Sequence, residues 1–176
     1  MRALPMLMAL VVAMAVGGAA LSTAALAAER CPDRLPQAVA AKRDAIAAAA
    51  QARDWEALKR QIGPGEFVYS FGDDSDAIGY WRDSVAEGID IPRLIGAVLA
   101  MRCAITRSRG QTTYWWPSAT EFDWKDLTPA EKRALEALYG PKLDDVYMEG
   151  RAVGYYVGWR LSIEASGAWS AFVAGD

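Results

Sequence analysis

Between Val153 and Ile163 every second residue is apolar: Val153, Tyr155, Val157, Trp159, Leu161 and Ile163. A period of two belongs to a β-strand with one buried face. The pattern leaves little freedom, because a slip of one residue turns the whole set to solvent. Ala165-Ser166-Gly167 follows, then residues 168–173. A three-residue loop ending in Gly suits a type I turn closed by a bulge, since Gly takes positive φ without steric cost. The expected hairpin sets Ile163 opposite Trp169, Leu161 opposite Ala171 and Trp159 opposite Val173. A hairpin on the same plan is expected upstream, from residues 103–107, the loop Ser108-Arg109-Gly110 and residues 111–116. There Ile105 faces Thr113 and Cys103 faces Trp115. That register turns Trp115 inward and leaves Tyr114 and Trp116 on the opposite face.

Helical spacing dominates the segments before the hairpins. Residues 33–52 are Ala-rich, with Leu35, Val39, Ile46 and Ala49 on one stripe. Asp54 caps a short helix carrying Trp55, Leu58 and Ile62, which Gly63-Pro64-Gly65 ends. Residues 66–71 read as a strand and 72–75 as a turn. Two more helices follow. One, over 76–87, carries Ile78, Trp81 and Val85, and the other opens at Pro92 with Leu94, Ile95, Val98 and Leu99 inward. Between the hairpins, Thr128-Pro129-Ala130-Glu131 is a capping box with Pro at the first helical position, and Gly140-Pro141 stops that helix. Residues 143–149 add a short turn. The expected architecture is α+β: N-terminal helices packed on an antiparallel sheet built from two β-hairpins plus a short strand, with a helical insertion between the hairpins.

Residues 1–27 read as a signal peptide. Arg2 supplies the positive start, residues 7–16 are an unbroken apolar run, and Ala25-Leu26-Ala27 fits the small-residue cleavage rule. Ala28 would then be the new N-terminus, and residues 28–176 a single α+β domain, periplasmic or secreted and without a stable membrane span after cleavage. The rival reading keeps the leader as a membrane anchor. In an oxidising compartment, Cys31 and Cys103 pair as a disulfide tying the start of that domain to its middle. The alternative is two free thiols.

Chemistry is bounded mainly by an absence. The chain has no His. Ser-His-Asp and Cys-His catalysis, His-containing zinc sites and imidazole acid–base chemistry are therefore excluded. Two Cys cannot make a structural zinc site alone. No nucleophile-elbow, dinucleotide-binding or P-loop pattern occurs, and no cofactor or metal is expected. The net charge of −3 gives no reason to expect nucleic acid as a partner. Asp73, Asp74 and Asp76 fail the EF-hand pattern, because Ile78 and Val85 fall where ligands are required. They read as acids at a helix N-terminus. Asp83, Glu87 and Asp90 are the carboxylates available for glycosidic hydrolysis, and equally read as a solvated helix face.

Two sets of residues are candidates for binding. Tyr114, Trp116, Tyr156 and Phe172 fall on strand faces opposite the expected core and would form an aromatic platform. Gly154 and Gly158 beside them leave room for a close neighbour or a ligand. Arg107 and Arg109 flank a hairpin tip in a stretch, 91–120, that has no acidic residue. They could hold an anion, or meet acids within the fold.

The tail Gly158-Trp159-Arg160-Leu161 with Gly167-Ala168-Trp169-Ser170-Ala171-Phe172-Val173-Ala174-Gly175-Asp176 resembles the ending of a group of bacterial exported proteins of unassigned function. Tyr114–Ser118 and Leu138–Gly140 resemble that group too. The resemblance implies membership and supplies no activity. Residues 52–74 are similar to the opening of NTF2-like α+β domains. The expected function is a non-catalytic binding or interaction module of the envelope, its partner an envelope protein or a cell-wall glycan. The alternatives are a carboxylate-dependent hydrolase acting on wall glycans and an enzyme inhibitor or immunity-type protein.

Overall fold

The computed structural model describes residues 28–63, 66–69 and 76–175. The expected signal peptide, the 72–75 turn with Asp73 and Asp74, and the end of the 66–71 strand lie outside the described residues. The fold is α+β. Among the described residues, five α-helices, α1 (Gln37–Gln51), α2 (Trp55–Gln61), α3 (Ala77–Ala86), α4 (Ile91–Leu99) and α5 (Pro129–Tyr139), accompany an antiparallel sheet in the order β1 (Glu29–Arg30), β2 (Ala104–Ser108), β3 (Gln111–Trp116), β4 (Arg160–Glu164) and β5 (Trp169–Val173). The segment through Val68 bridges Ala171 in parallel and extends the sheet beyond β5.

The helices follow the apolar spacing of the sequence. On α1, Val39, Ile46 and Ala49 are buried, and on α4 so are Leu94, Ile95, Val98 and Leu99. Both helices pack on β4 and on each other. The first helix is shorter than expected because Pro36 stands at its N-cap. Asp54 caps α2 by accepting from the Ala57 N–H at 2.9 Å. Trp81 of α3 is fully buried and lies 5.6 Å from the rings of both Trp169 and Phe172. Phe172 stacks on Trp159 at 4.9 Å. Such ring pairs contribute about 0.5–1.5 kcal/mol each beyond area burial.

The first hairpin corrects the expected register. Its loop has two residues, Arg109 and Gly110, with φ of 51° and 81°. Two successive left-handed residues match the twist of the flanking strands. Ser108 therefore pairs with Gln111, Ile105 with Tyr114 and Ala104 with Trp115. Shifting the pairing by one exchanges the faces. Tyr114 and Trp116 point into the core, with 6 % and 1 % exposure. Trp115 points the other way and donates from Nε1 to Thr106 Oγ1 at 3.0 Å.

The second hairpin starts as expected, with Ile163 opposite Trp169, and then departs. A bulge shifts the register so that Leu161 faces Phe172 and Arg160 faces Val173. The extra residue is Ser170. Its carbonyl accepts from the Val68 N–H at 3.0 Å, and the Phe172 N–H donates to Val68 O at 2.9 Å. Trp169 and Phe172 are three residues apart, an odd spacing that regular pleating would send to opposite faces. The bulge lets both reach the core.

Only the end of the 153–163 alternation lies in the sheet. Upstream of Trp159 the chain doubles back on itself: Met148 N–H donates to Tyr155 O at 3.0 Å, and Val157 N–H to Val146 O at 2.9 Å. Glu149 and Gly150, both at positive φ, make the turn. Val153 and Tyr155 are exposed, so the expected strand over these residues is replaced by a loop. The insertion between the hairpins also builds a second core, of Ala119, Leu127, Leu135, Leu143, Tyr147 and Tyr156.

Cys31 and Cys103 are joined in a disulfide, with Cα atoms 5.3 Å apart and a sequence separation of 72. Closing so long a loop constrains the unfolded chain strongly. Replacing both by Ser is expected to lower the unfolding free energy by about 4 kcal/mol. Denaturant unfolding of the oxidised protein and the double variant measures this. A difference below about 1 kcal/mol would show that the bond adds little.

Candidate functional site

The disulfide sits within a short strap, residues 28–36, laid along the open edge of β2. Cys31 N–H donates to Cys103 O at 3.0 Å. Glu29 pairs with Arg107 at 2.7 Å and Asp33 with Arg102 at 3.0 Å. Arg30 reaches farther, into the insertion. It pairs with Glu131, donates from Nη2 to Asp126 O at 2.6 Å, and lies 4.4 Å over the Phe122 ring. The strap thus joins sheet and insertion in three ways: backbone pairing, a covalent bond and a guanidinium.

Glu131 is the acidic end of the α5 capping box, and it is 5 % exposed. Oε2 accepts from the Thr128 N–H at 2.7 Å and from Thr128 Oγ1 at 2.6 Å. Oε1 accepts from Ser118 Oγ at 2.6 Å and from Arg30. Four donors fill the lone-pair sites of the carboxylate. Burial pushes its pKa up, but hydrogen bonds from Ser118 and Thr128 and the charge of Arg30 outweigh that and hold it below the ordinary value. A saturated, firmly ionised carboxylate is poorly suited to giving or taking a proton. It is a fixed anion that positions α5.

Two concavities lie near the contacts that the strap makes. A cavity of about 200 Å³ lies beside Glu131 and Ser118, with Met101, Pro117, Ala134 and Leu135 in its mostly apolar wall. A wider groove of about 470 Å³ lies along the strap itself. Its wall includes Glu29, Arg34, Leu35, Ile105, Arg107 and Tyr114. Arg30 also lines this groove while its guanidinium binds Glu131. Among the described residues, no cluster of three or more Cys, Asp or Glu could hold a metal ion, and no helix is long and apolar enough to cross a membrane.

The structure scatters the sequence-derived candidates. Tyr114, Trp116, Tyr156 and Phe172 are all buried, at 6 %, 1 %, 4 % and 0 % exposure, and form no exposed aromatic platform. Phe172 belongs to the main core. Tyr156 belongs to the second, where its hydroxyl lies 2.6 Å from that of Tyr139 and donates to Trp159 O at 2.9 Å. Burial first, then Tyr139, pushes the Tyr156 pKa well above its ordinary value, so this hydroxyl stays protonated. The space at Gly158 is filled by the chain itself: a Cβ there would stand 2.5 Å from the Tyr139 hydroxyl and 2.6 Å from the Tyr156 ring. Arg109 is exposed at the hairpin tip, apart from the groove that Arg107 and Tyr114 share.

The carboxylates considered for hydrolysis sit elsewhere. Asp83 and Glu87 are exposed at the C-terminal end of α3. Asp90 caps α4 and pairs with Arg53 at 2.7 Å. Sequence reasoning missed Arg30, Ser118 and the enclosed setting of Glu131. The Thr128–Glu131 capping box was visible, but its other two partners lie 13 and 101 positions away. Glu121 was missed too. It is half-buried, and burial pushes its carboxyl up. No family model, curated protein or solved structure matches the chain.

Because the folded pKa of Glu131 lies below its ordinary 4.5, its contribution to stability is complete above that unfolded value. It is lost as pH falls through the lower, folded value. Glu131→Gln is expected to cost about 2–4 kcal/mol near neutral pH. The gap between wild type and variant should narrow below about pH 4. Chemical denaturation across pH checks this, and an unchanged gap in acid would contradict it.

Proposed function

We propose that the protein is an exported, non-catalytic binding module that works outside the cytoplasm. The observation that carries the reading is the saturation of Glu131. The carboxylate enclosed beside a cavity has four donors on its two oxygens and offers nothing to a reacting group. The cavity beside Glu131 and the groove along the strap are the natural places for a ligand. The disulfide, the signal-like leader and the resemblance to bacterial exported proteins support an extracytoplasmic setting. In that setting the partner is a cell-wall glycan or peptide fragment, or an envelope protein.

Two measurements test this reading. Mass spectrometry of the protein recovered from the expressing cell should find Ala28 as its first residue, and retention of the leader would contradict export as a cleaved protein. Incubation of the oxidised protein with solubilised wall fragments should give thermal stabilisation or chemical-shift changes without new reducing ends. Release of reducing ends by the wild type, lost in Asp83→Asn or Glu87→Gln, would establish the hydrolase reading instead.

A further inference from the structure

The groove beside the strap combines features that select a ligand. Tyr114 is more than nine-tenths buried, yet it lines the groove, and among the described residues its hydroxyl has no hydrogen-bond partner. The hydroxyl itself is not a fully buried atom, so it opens to the groove as a free donor. A ligand oxygen could accept from it. Arg34 is exposed on the same wall and has no acidic partner among the described residues. Arg107 gives one N–H to Glu29 at 2.7 Å, and a guanidinium has five. Between these donors the wall is apolar, with Leu35 and Ile105 in it. Donors of this kind match a planar oxyanion, and the apolar floor matches a hydrocarbon next to it.

We propose that this groove binds the free C-terminal carboxylate of a short peptide with an apolar side chain. Arg34 and Arg107 hold the carboxylate, the Tyr114 hydroxyl donates to one of its oxygens, and Leu35 and Ile105 take the side chain. Glu29 is the resident competitor: its carboxylate occupies Arg107 in the free protein, and an incoming carboxylate displaces it. The assignment deepens the binding-module reading and rests on it.

The test titrates the oxidised protein with N-acetyl-Leu-Ala bearing a free C-terminus, with the same peptide as its C-terminal amide, and with inorganic phosphate, following backbone amides by NMR. The free acid should move the amides around Tyr114 and Arg34, with binding in the millimolar range or tighter. The amide should bind about tenfold more weakly or worse. Arg34→Ala and Tyr114→Phe should each weaken the acid severalfold while leaving thermal stability near that of the wild type. Both changes spare the packed ring and the sheet. Glu29→Gln should tighten binding by about threefold, because it removes the competing charge. A purely structural Glu29–Arg107 pair would give unchanged or weaker binding. Phosphate binding as tightly as the peptide acid would overturn the carboxylate-and-apolar assignment. So would equal binding of acid and amide. Should neither peptide move the groove amides at about 20 mM while wall fragments shift other residues, the assignment fails and the binding-module reading stands. Silence from every ligand removes both.

Discussion

The strap formed by Arg30 and Cys31 is the constraint on which the rest depends. Adjacent residues perform different tasks: Cys31 is covalently bound to the start of β2 through Cys103, and Arg30 crosses to the buried carboxylate of Glu131. Neither contact alone explains the arrangement. The disulfide fixes the strap against the sheet. It thereby holds the guanidinium where it can neutralise a carboxylate that would otherwise be costly to bury. Glu131 in turn gathers Ser118, just after β3, and Thr128, at the head of α5. Glu131 thus ties the strap and the end of β3 to the insertion, while Trp159 of the main core meets Tyr139 and Tyr156 of the second.

That connection explains why the concave surfaces lie where they do. The cavity beside Glu131 is walled by α5 and the turn after β3, and the groove by the strap, β2 and β3. Moving the strap would reshape the groove directly, and would free the Glu131 carboxylate beside the cavity from Arg30. The aromatic residues, by contrast, are used for packing. The stacked and edge-on rings of Phe67, Trp81, Trp159, Trp169 and Phe172 hold α3 to the sheet.

Much of the fold was legible because local rules agreed with it. Apolar spacing placed α1 to α4, Thr128 and Pro129 placed the start of α5, and the even cysteine pair gave the disulfide. The faces of the strands were harder. A Ser108-Arg109-Gly110 sequence serves a three-residue loop or a two-residue one. The choice depends on Arg109 adopting positive φ, which sequence disfavours outside Gly and Asn. That single residue decided whether Tyr114 and Trp116 faced the core. The Ser170 bulge depends on a parallel neighbour, Val68, about a hundred residues earlier, and no local pattern announces it. The alternation over 153–157 shows the converse failure: β3 ends at Trp116 opposite Leu161 and β5 at Val173 opposite Arg160, so a perfect period of two ran on past both of its neighbours. The site was least legible of all. Arg30 looked like an ordinary residue near the chain's start, and Glu131 like an ordinary cap, until tertiary structure brought them together.

Hydrogen exchange before and after selective reduction of Cys31–Cys103 tests the central claim most directly. If the strap couples sheet and insertion, reduction should speed exchange both along β1 and at the first turn of α5, around Glu131, although that turn is far from the disulfide in sequence. Faster exchange confined to the strap, with the α5 N-terminus as protected as before, would contradict the account.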